Sequence, residues 1–192
     1  LFLRGRCRRC KAEISVQYPI IEGLNGFLWV FVFLVNGMNV MSVVYCLMTS
    51  ALLVLSVIDW RTFEIPFGIN VFLGILGIVA VVLDKGEWLN HVIGAVCVSG
   101  FLLLLYLLSK GRAIGGGDIK LMAACGLLLG WQKSILAFLL GCIVGSVIHL
   151  FRMKISKEGH VLAMGPYLAA GIFLAALFGG QWIHWYLDAL GI

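Results

Sequence analysis

Residues 113–131 read AIGGGDIKLMAACGLLLGW, and whether this stretch crosses a membrane decides the topology of the whole chain. Its apolar part, 119–130, spans roughly 18 Å as a helix at ~1.5 Å per residue. A crossing usually takes ~17–25 residues. The stretch opens with three glycines and a carboxylate, which a plain membrane anchor avoids: glycine is a poor helix former and a lone charge is costly in lipid. As a full crossing it must thin the bilayer or borrow length from its flanks. The other choice is a re-entrant hairpin.

Outward from this segment the apolar runs continue, at 20–36, 40–58, 67–83, 88–109, 134–151 and 161–179. The chain of 192 residues is 62% apolar and only 12% charged, with mean hydropathy +1.07. Soluble domains carry about 25% charged residues, so a single water-soluble domain is excluded. Lipid offers unpaired backbone groups no partner, so every run must be helical. The expected fold class is all-α, a polytopic transmembrane bundle of about seven spans in contact with membrane lipid. The net charge of +5 carries no nucleic-acid meaning here, because the basic residues sit between apolar runs and read as topology.

With Arg4, Arg6, Arg8, Arg9 and Lys11 in the cytoplasm, alternation puts Arg61, Lys110, Arg112 and Lys120 inside and Lys85 outside. Counting 119–130 as a full crossing puts Lys133 outside and Arg152, Lys154 and Lys157 inside, so 12 of the 14 basic residues are cytoplasmic. A hairpin leaves 10. The full crossing fits better. The tail QWIHWYLDALGI, rich in Trp and Tyr, reads as an interfacial anchor on the outer side.

Two of the nine acidic residues stand apart. Asp59 closes the second run in VLSVIDWRTFEIP, and Asp118 opens the fifth in GGGDIKLM. The topology sets both at the cytoplasmic rim. Alone, Asp59 reads equally as a helix-end residue paired with Arg61, and Asp118 as a helix N-terminal aspartate facing the dipole. Neither reading explains the glycine run, which lets the backbone adopt unusual φ/ψ values and an extended peptide approach. Two carboxylates at one depth on different helices are what aspartic proteolysis requires. Brought close, they cannot both ionise, and they share one proton.

Other features read plainly. Cys46, Cys97, Cys125 and Cys142 lie inside apolar runs as small hydrophobes. His91, His149, His160 and His184 share no close spacing, form no metal cluster and read as loop or interface residues. Gly141 and Gly145 make G-x-x-x-G, a close-packing signal within one molecule. Gly165-Pro166 reads as a kink or loose first turn of the last span.

Four blocks together resemble a known family. GGGDIKLMAACGLLLGW is similar to the G-x-G-D block of the type IV prepilin peptidases, membrane aspartic proteases of bacteria. IDWRTFEIP is similar to their first aspartate block, with Ile65 and Pro66 six and seven residues after Asp59. RGRCRRCKAEISVQYPIIEGLNG resembles the end of their amino-terminal cytoplasmic segment, and LAMGPYLAAGIFLAALFG their last core helix. The blocks run in family order from the first residues to about Gly179.

The resemblance implies Asp59 and Asp118 as the catalytic pair, with Gly115 and Gly117 as the motif glycines and Lys120 as the lysine that follows. On their own chemistry Arg61 and Lys120 read either as supporting or substrate-contacting residues or, the favoured reading, as anchors of a helix end at the cytoplasmic interface. The resemblance also implies a bacterial inner-membrane enzyme whose site faces the cytoplasm and removes the basic leader of prepilins or pseudopilins. Proteolysis would use no cofactor. Larger family members also methylate the new amino terminus with S-adenosylmethionine and carry two C-x-x-C pairs suited to zinc. This chain has one pair, Cys7 and Cys10, where structural zinc needs four ligands. With Leu1 at the start instead of Met, the expectation is a lost first helix and first C-x-x-C. Residues 1–19 would then be a remnant of the cytoplasmic segment and 20–192 the transmembrane peptidase domain. Two other functions fit these residues: another G-x-G-D protease, acting on signal-peptide remnants or preflagellin-type proteins, and a proton or cation transporter using the two aspartates.

Overall fold

The computed structural model describes residues 10, 13, 15–84, 86–112, 114–155 and 163–191, with 152–155 described by backbone alone. These residues form α1 (Gln17–Asn36), α2 (Val40–Thr62), α3 (Phe67–Leu83), α4 (Trp88–Leu108), α5 (Gly116–Leu129), α6 (Trp131–Ile155) and α7 (Gly165–Leu190). Each expected span corresponds to one helix. Five of them, α1, α2, α4, α6 and α7, are long and apolar enough to cross a membrane, and α3 is a shorter apolar helix. The chain is a multi-pass membrane protein with an all-α fold.

Local chemistry sets the helix ends. Gly37, at φ 73°, closes α1, and Asn39 caps α2 by accepting from the Ser42 N–H at 2.8 Å. Pro66 stands just before α3 in an extended conformation, where its missing N–H costs nothing. Gly165 and Pro166 form the first turn of α7; proline suits that position because the first N–H groups of a helix have no intrahelical partner. Residues 161–162, where the last run was expected to begin, lie outside the described residues. The aromatic tail continues α7 to Leu190, with Trp185 and Tyr186 exposed.

The short fifth helix passes from one end of the bundle to the other. At its start, a Cβ on Gly117 would lie 2.9 Å from Ile65 Cβ, between α2 and α3; at its finish, a Cβ on Gly130 would lie 2.7 Å from Asn90 Oδ1 in the first turn of α4. The hairpin alternative is therefore excluded. The 14 residues of α5 make ~21 Å, because the helix takes in Gly116, Gly117 and Asp118 from the flank ahead of the apolar run and so borrows length. It packs against α3, α4 and α6 and buries Leu121, Met122, Ala124, Cys125, Gly126, Leu128 and Leu129. A helix sheathed by protein on most sides need not match the thickness of the lipid.

Close backbone approach makes this burial work. A Cβ on Gly94 of α4 would sit 2.5 Å from the Gly126 carbonyl oxygen and 2.6 Å from the Gly130 backbone carbon. The packing expected of Gly141 and Gly145 is directed at α7, against Leu168 and Tyr167. Outside this core, α1, α3 and α4 turn Val30, Leu34, Ile75, Ile78, Val96 and Leu104 outward. That apolar exterior would be a liability in water and is the lipid-facing surface here.

Candidate active site

Asp59 is in the last turn of α2, 4% exposed, and its Oδ2 accepts a 2.9 Å hydrogen bond from the Gly165 backbone N–H. Gly165 is the first residue of α7, so Asp59 faces the positive end of a helix dipole, which favours a negative charge. Asp118 is the third residue of α5 and reaches back to the Gly115 backbone N–H just before that helix. This is the carboxylate half of a capping box. Each aspartate thus sits at a helix N-terminus, one its own and one borrowed.

The two carboxyl groups share a pocket of about 320 Å³ and are near enough for the charge of Asp59 to act on Asp118. The pocket is walled by Phe63, Glu64, Ile65 and Phe67 from the α2–α3 connection, Asn70 of α3, and Gly115, Gly116, Gly117 and Lys120. Phe63 closes α2 with φ 55°, a left-handed conformation that is uncommon for a bulky residue. The turn it makes carries Glu64 and Ile65 toward the mouth of the pocket.

The glycine run has a different cause from the one expected. Gly115 is extended, with φ −73° and ψ 138°, and Gly116 and Gly117 begin the helix, so none of the three has a positive φ. What two of them require is space. A Cβ on Gly117 would meet Ile65, and a Cβ on Gly115 would stand 3.1 Å from Asp118 Oδ2. Gly116 has nothing within 4 Å of its Cβ direction and leaves the pocket open.

Lys120 lines the pocket and holds its Nζ 5.5 Å above the Phe67 ring. Arg61 does not join it. Its guanidinium donates to Gln17 Oε1 at the start of α1, not to Asp59, and it lines a separate hollow with Trp60 and Pro166. The ion pair with Asp59 and the role beside the aspartates expected of Arg61 both lack this geometry. Cys10 is an exposed free thiol, and Cys7 lies outside the described residues. Among the described residues no three His, Cys, Asp or Glu side chains come together to hold a metal, so these residues do not build a zinc site.

Of two further contributors, Gly165 was read from sequence only as part of a kink or loose first turn, and Asn70 was not singled out. Gly165 supplies the N–H that positions Asp59. Asn70 brings a buried carboxamide into the pocket wall. An amide one turn after Pro66, inside an otherwise apolar run, was the available signal.

Comparison with known proteins was decisive for family. Residues 46–150, which contain both aspartates, match the type IV leader peptidase family, and residues 1–36 match the bacterial peptidase A24 N-terminal domain. The chain belongs to the type IV leader peptidase family. The amino-terminal match takes in the whole of α1. Among curated relatives, a prepilin leader peptidase/N-methyltransferase of Aeromonas salmonicida is 34% identical, covering 99% of this chain and 68% of its own length. Proteins of the same name from Aeromonas hydrophila and Pseudomonas aeruginosa are 35% and 31% identical, covering 97% and 100% of this chain and 67% and 68% of their own lengths. No solved structure matches the chain.

Proposed function

We propose that this family member is an aspartic endopeptidase that removes the basic leader of type IV prepilins or pseudopilins, with Asp59 and Asp118 as its catalytic pair. One observation carries the reading: two carboxyl groups from sequence-distant helices line one pocket at one end of the bundle. Like charges that close favour a singly protonated pair. The ionised member takes a proton from a water as the water oxygen bonds to the scissile carbonyl carbon. The other member gives its proton to the carbonyl oxygen, producing a neutral tetrahedral diol. On collapse the C–N bond breaks, the amine nitrogen takes up a proton from the first carboxyl, and the diol returns one to the second. Which aspartate begins protonated belongs to the pair and not to either residue. Proteolysis of this kind calls for no cofactor.

The site is assigned to the cytoplasmic face of a bacterial inner membrane on charge. Arg61, Lys110, Arg112 and Lys120 adjoin the helix ends on the Asp59 side, whereas Lys133 adjoins the opposite end. A basic leader stays on the cytoplasmic side while the apolar helix behind it lies in lipid. Zinc on Cys7 and Cys10, and methyl transfer from S-adenosylmethionine, are proposed only for a protein with further ligands and enter no step above.

The test is leader removal in membranes by Asp59→Asn and Asp118→Asn. Both should lose activity by about 10²–10⁴-fold while melting as the parent does, since Asn can still accept from the Gly165 or Gly115 N–H. Parental processing by either variant overturns the pair. Proton or cation flux in liposomes without peptide cleavage would favour a transporter instead.

A further inference from the structure

Asn70 is 6% exposed, and among the described residues neither its Oδ1 nor its Nδ2 has a hydrogen-bond partner. A buried carboxamide left unpaired is unfavourable, so most such groups in folded proteins are satisfied. Two hydroxyls, of Ser134 and Tyr167, are also unpartnered among the described residues, but neither lines the pocket that holds the aspartates. Asn70 does. It stands four residues beyond Pro66 on α3, opposite the start of α5.

A carboxamide offers one acceptor oxygen and two N–H donors, uncharged and in one plane. The main chain of an extended peptide presents the matching set at every residue, a C=O that accepts and an N–H that donates. We propose that Asn70 is a substrate-binding residue whose Oδ1 accepts from a peptide N–H, and whose Nδ2 donates to a peptide C=O, beside the scissile bond. Such pairing reads backbone and not side chain, and it holds the chain extended across the two carboxyl groups. Substrate would supply the partners that the protein does not give Asn70. This inference rests on the proteolytic reading of the pocket.

Leucine has the same branched skeleton of four side-chain heavy atoms as asparagine, with bulkier methyl groups in place of the amide oxygen and nitrogen, so Asn70→Leu removes the hydrogen-bonding groups without opening a cavity. The full chain, in detergent or membranes, is given a peptide comprising a basic leader and the first residues of an apolar helix. Asn70→Leu should melt at or above the parental temperature and lose about tenfold or more in kcat/KM, mostly through KM. In an Asp118→Asn background, which binds without cutting, the same substitution should weaken peptide affinity by a similar factor. Asn70→Ser, which keeps a donor and an acceptor, should recover part of the loss.

Parental kcat/KM in Asn70→Leu, or unchanged peptide affinity in the inactive background, overturns the inference. If the Leu variant does not fold, Asn70→Ala carries the same two measurements. The outcomes separate from those for the catalytic pair. A parent that cuts, an Asp59→Asn variant that does not, and an Asn70→Leu variant cutting at the parental rate remove Asn70 alone. A parent that never cuts the peptide removes the proteolytic reading itself.

Discussion

The two ends of the bundle treat their polar groups differently. At the end away from the aspartates, His91 is 4% exposed; its Nδ1 lies 2.9 Å from the Leu127 carbonyl oxygen and its Nε2 3.6 Å from Asp84. Beside it, the Asn90 Oδ1 accepts from the Trp131 N–H at 3.0 Å. These side chains join α4 to α5 and to the start of α6. At the other end, Asn70 has no partner among the described residues, and Asp59 is held through a backbone N–H to one of its two oxygens. At the first end His91 and Asn90 hold helices together, while the Ser134 hydroxyl in the first turn of α6 is unpartnered among the described residues. The other end keeps its polar groups for a ligand, at some expense in stability, as functional sites commonly do.

The contrast is most directly broken by substitutions at the glycines of each end. At the closed end, Gly94→Ala or Gly126→Ala would set a methyl group against backbone of the facing helix. Backbone cannot rotate aside, so α4 and α5 must separate. We expect a loss of about 3 kcal/mol or more, seen as poor recovery of folded protein from membranes and a much lower melting temperature. Activity should fall only in proportion to folded protein. A variant that melts as the parent does would show that the two helices are not in contact there.

At the open end, Gly165→Ala should give the reverse pattern. Its Cβ would lie 2.6 Å from Asp59 Oδ2 and 3.0 Å from the carboxyl carbon, so the carboxylate must move. Displacement of a catalytic group by about 1 Å costs on the order of 10²-fold in rate. Leader cleavage should therefore drop by about that factor, with a smaller fall in melting temperature than Gly126→Ala produces. Equal losses of stability and activity in the two variants would erase the distinction between the ends.

This asymmetry was only partly legible in the sequence. The apolar runs and the two aspartates could be read because they depend on composition and on position along the chain. The charge count also favoured a crossing for the fifth run, and α5 does run from one end of the bundle to the other. What surrounds it could not be read, because hydropathy reports only how apolar a segment is, and α5 is packed among α3, α4 and α6. The glycines next to Asp118 show a similar limit. Sequence reveals that a side chain is missing but not what fills its place, here Ile65 and the Asp118 carboxylate. Arg61 was assigned to Asp59 by proximity along the chain, yet two residues along a helix place side chains on different faces. His91 read as a bland interface residue because its partners, Leu127 and Asp84, lie on other elements.

A smaller effect tests whether the closed end is purely structural. His91→Ala removes the contact with the Leu127 carbonyl and leaves that oxygen without this partner. The loss should be about 1–3 kcal/mol, measured as a lower melting temperature in detergent. In the folded population kcat and KM for leader cleavage should stay at parental values, because His91 lies at the opposite end of α5 from Asp118. A change in kcat without loss of stability would mean that α5 transmits the state of one end to the other, and the division of labour would have to be redrawn.

The smallest expected effect concerns Lys120, the basic residue in the pocket wall. Its Nζ rests over the exposed Phe67 ring at 5.5 Å, a contact that contributes about 0.5–1 kcal/mol at solvent-exposed sites. A lysine at this end of a helix also anchors it at the membrane–water interface. Lys120→Met keeps most of the apolar stem and removes the charge. If Lys120 is an anchor, the variant should melt within a few degrees of the parent and cleave with kcat/KM reduced no more than about threefold, the equivalent of a few tenths of a kcal/mol. A loss of tenfold or more, carried by KM and strongest for leaders with acidic residues near the cleavage point, would make the ammonium group a substrate contact. The open end would then recognise its substrate by charge as well as through the main chain.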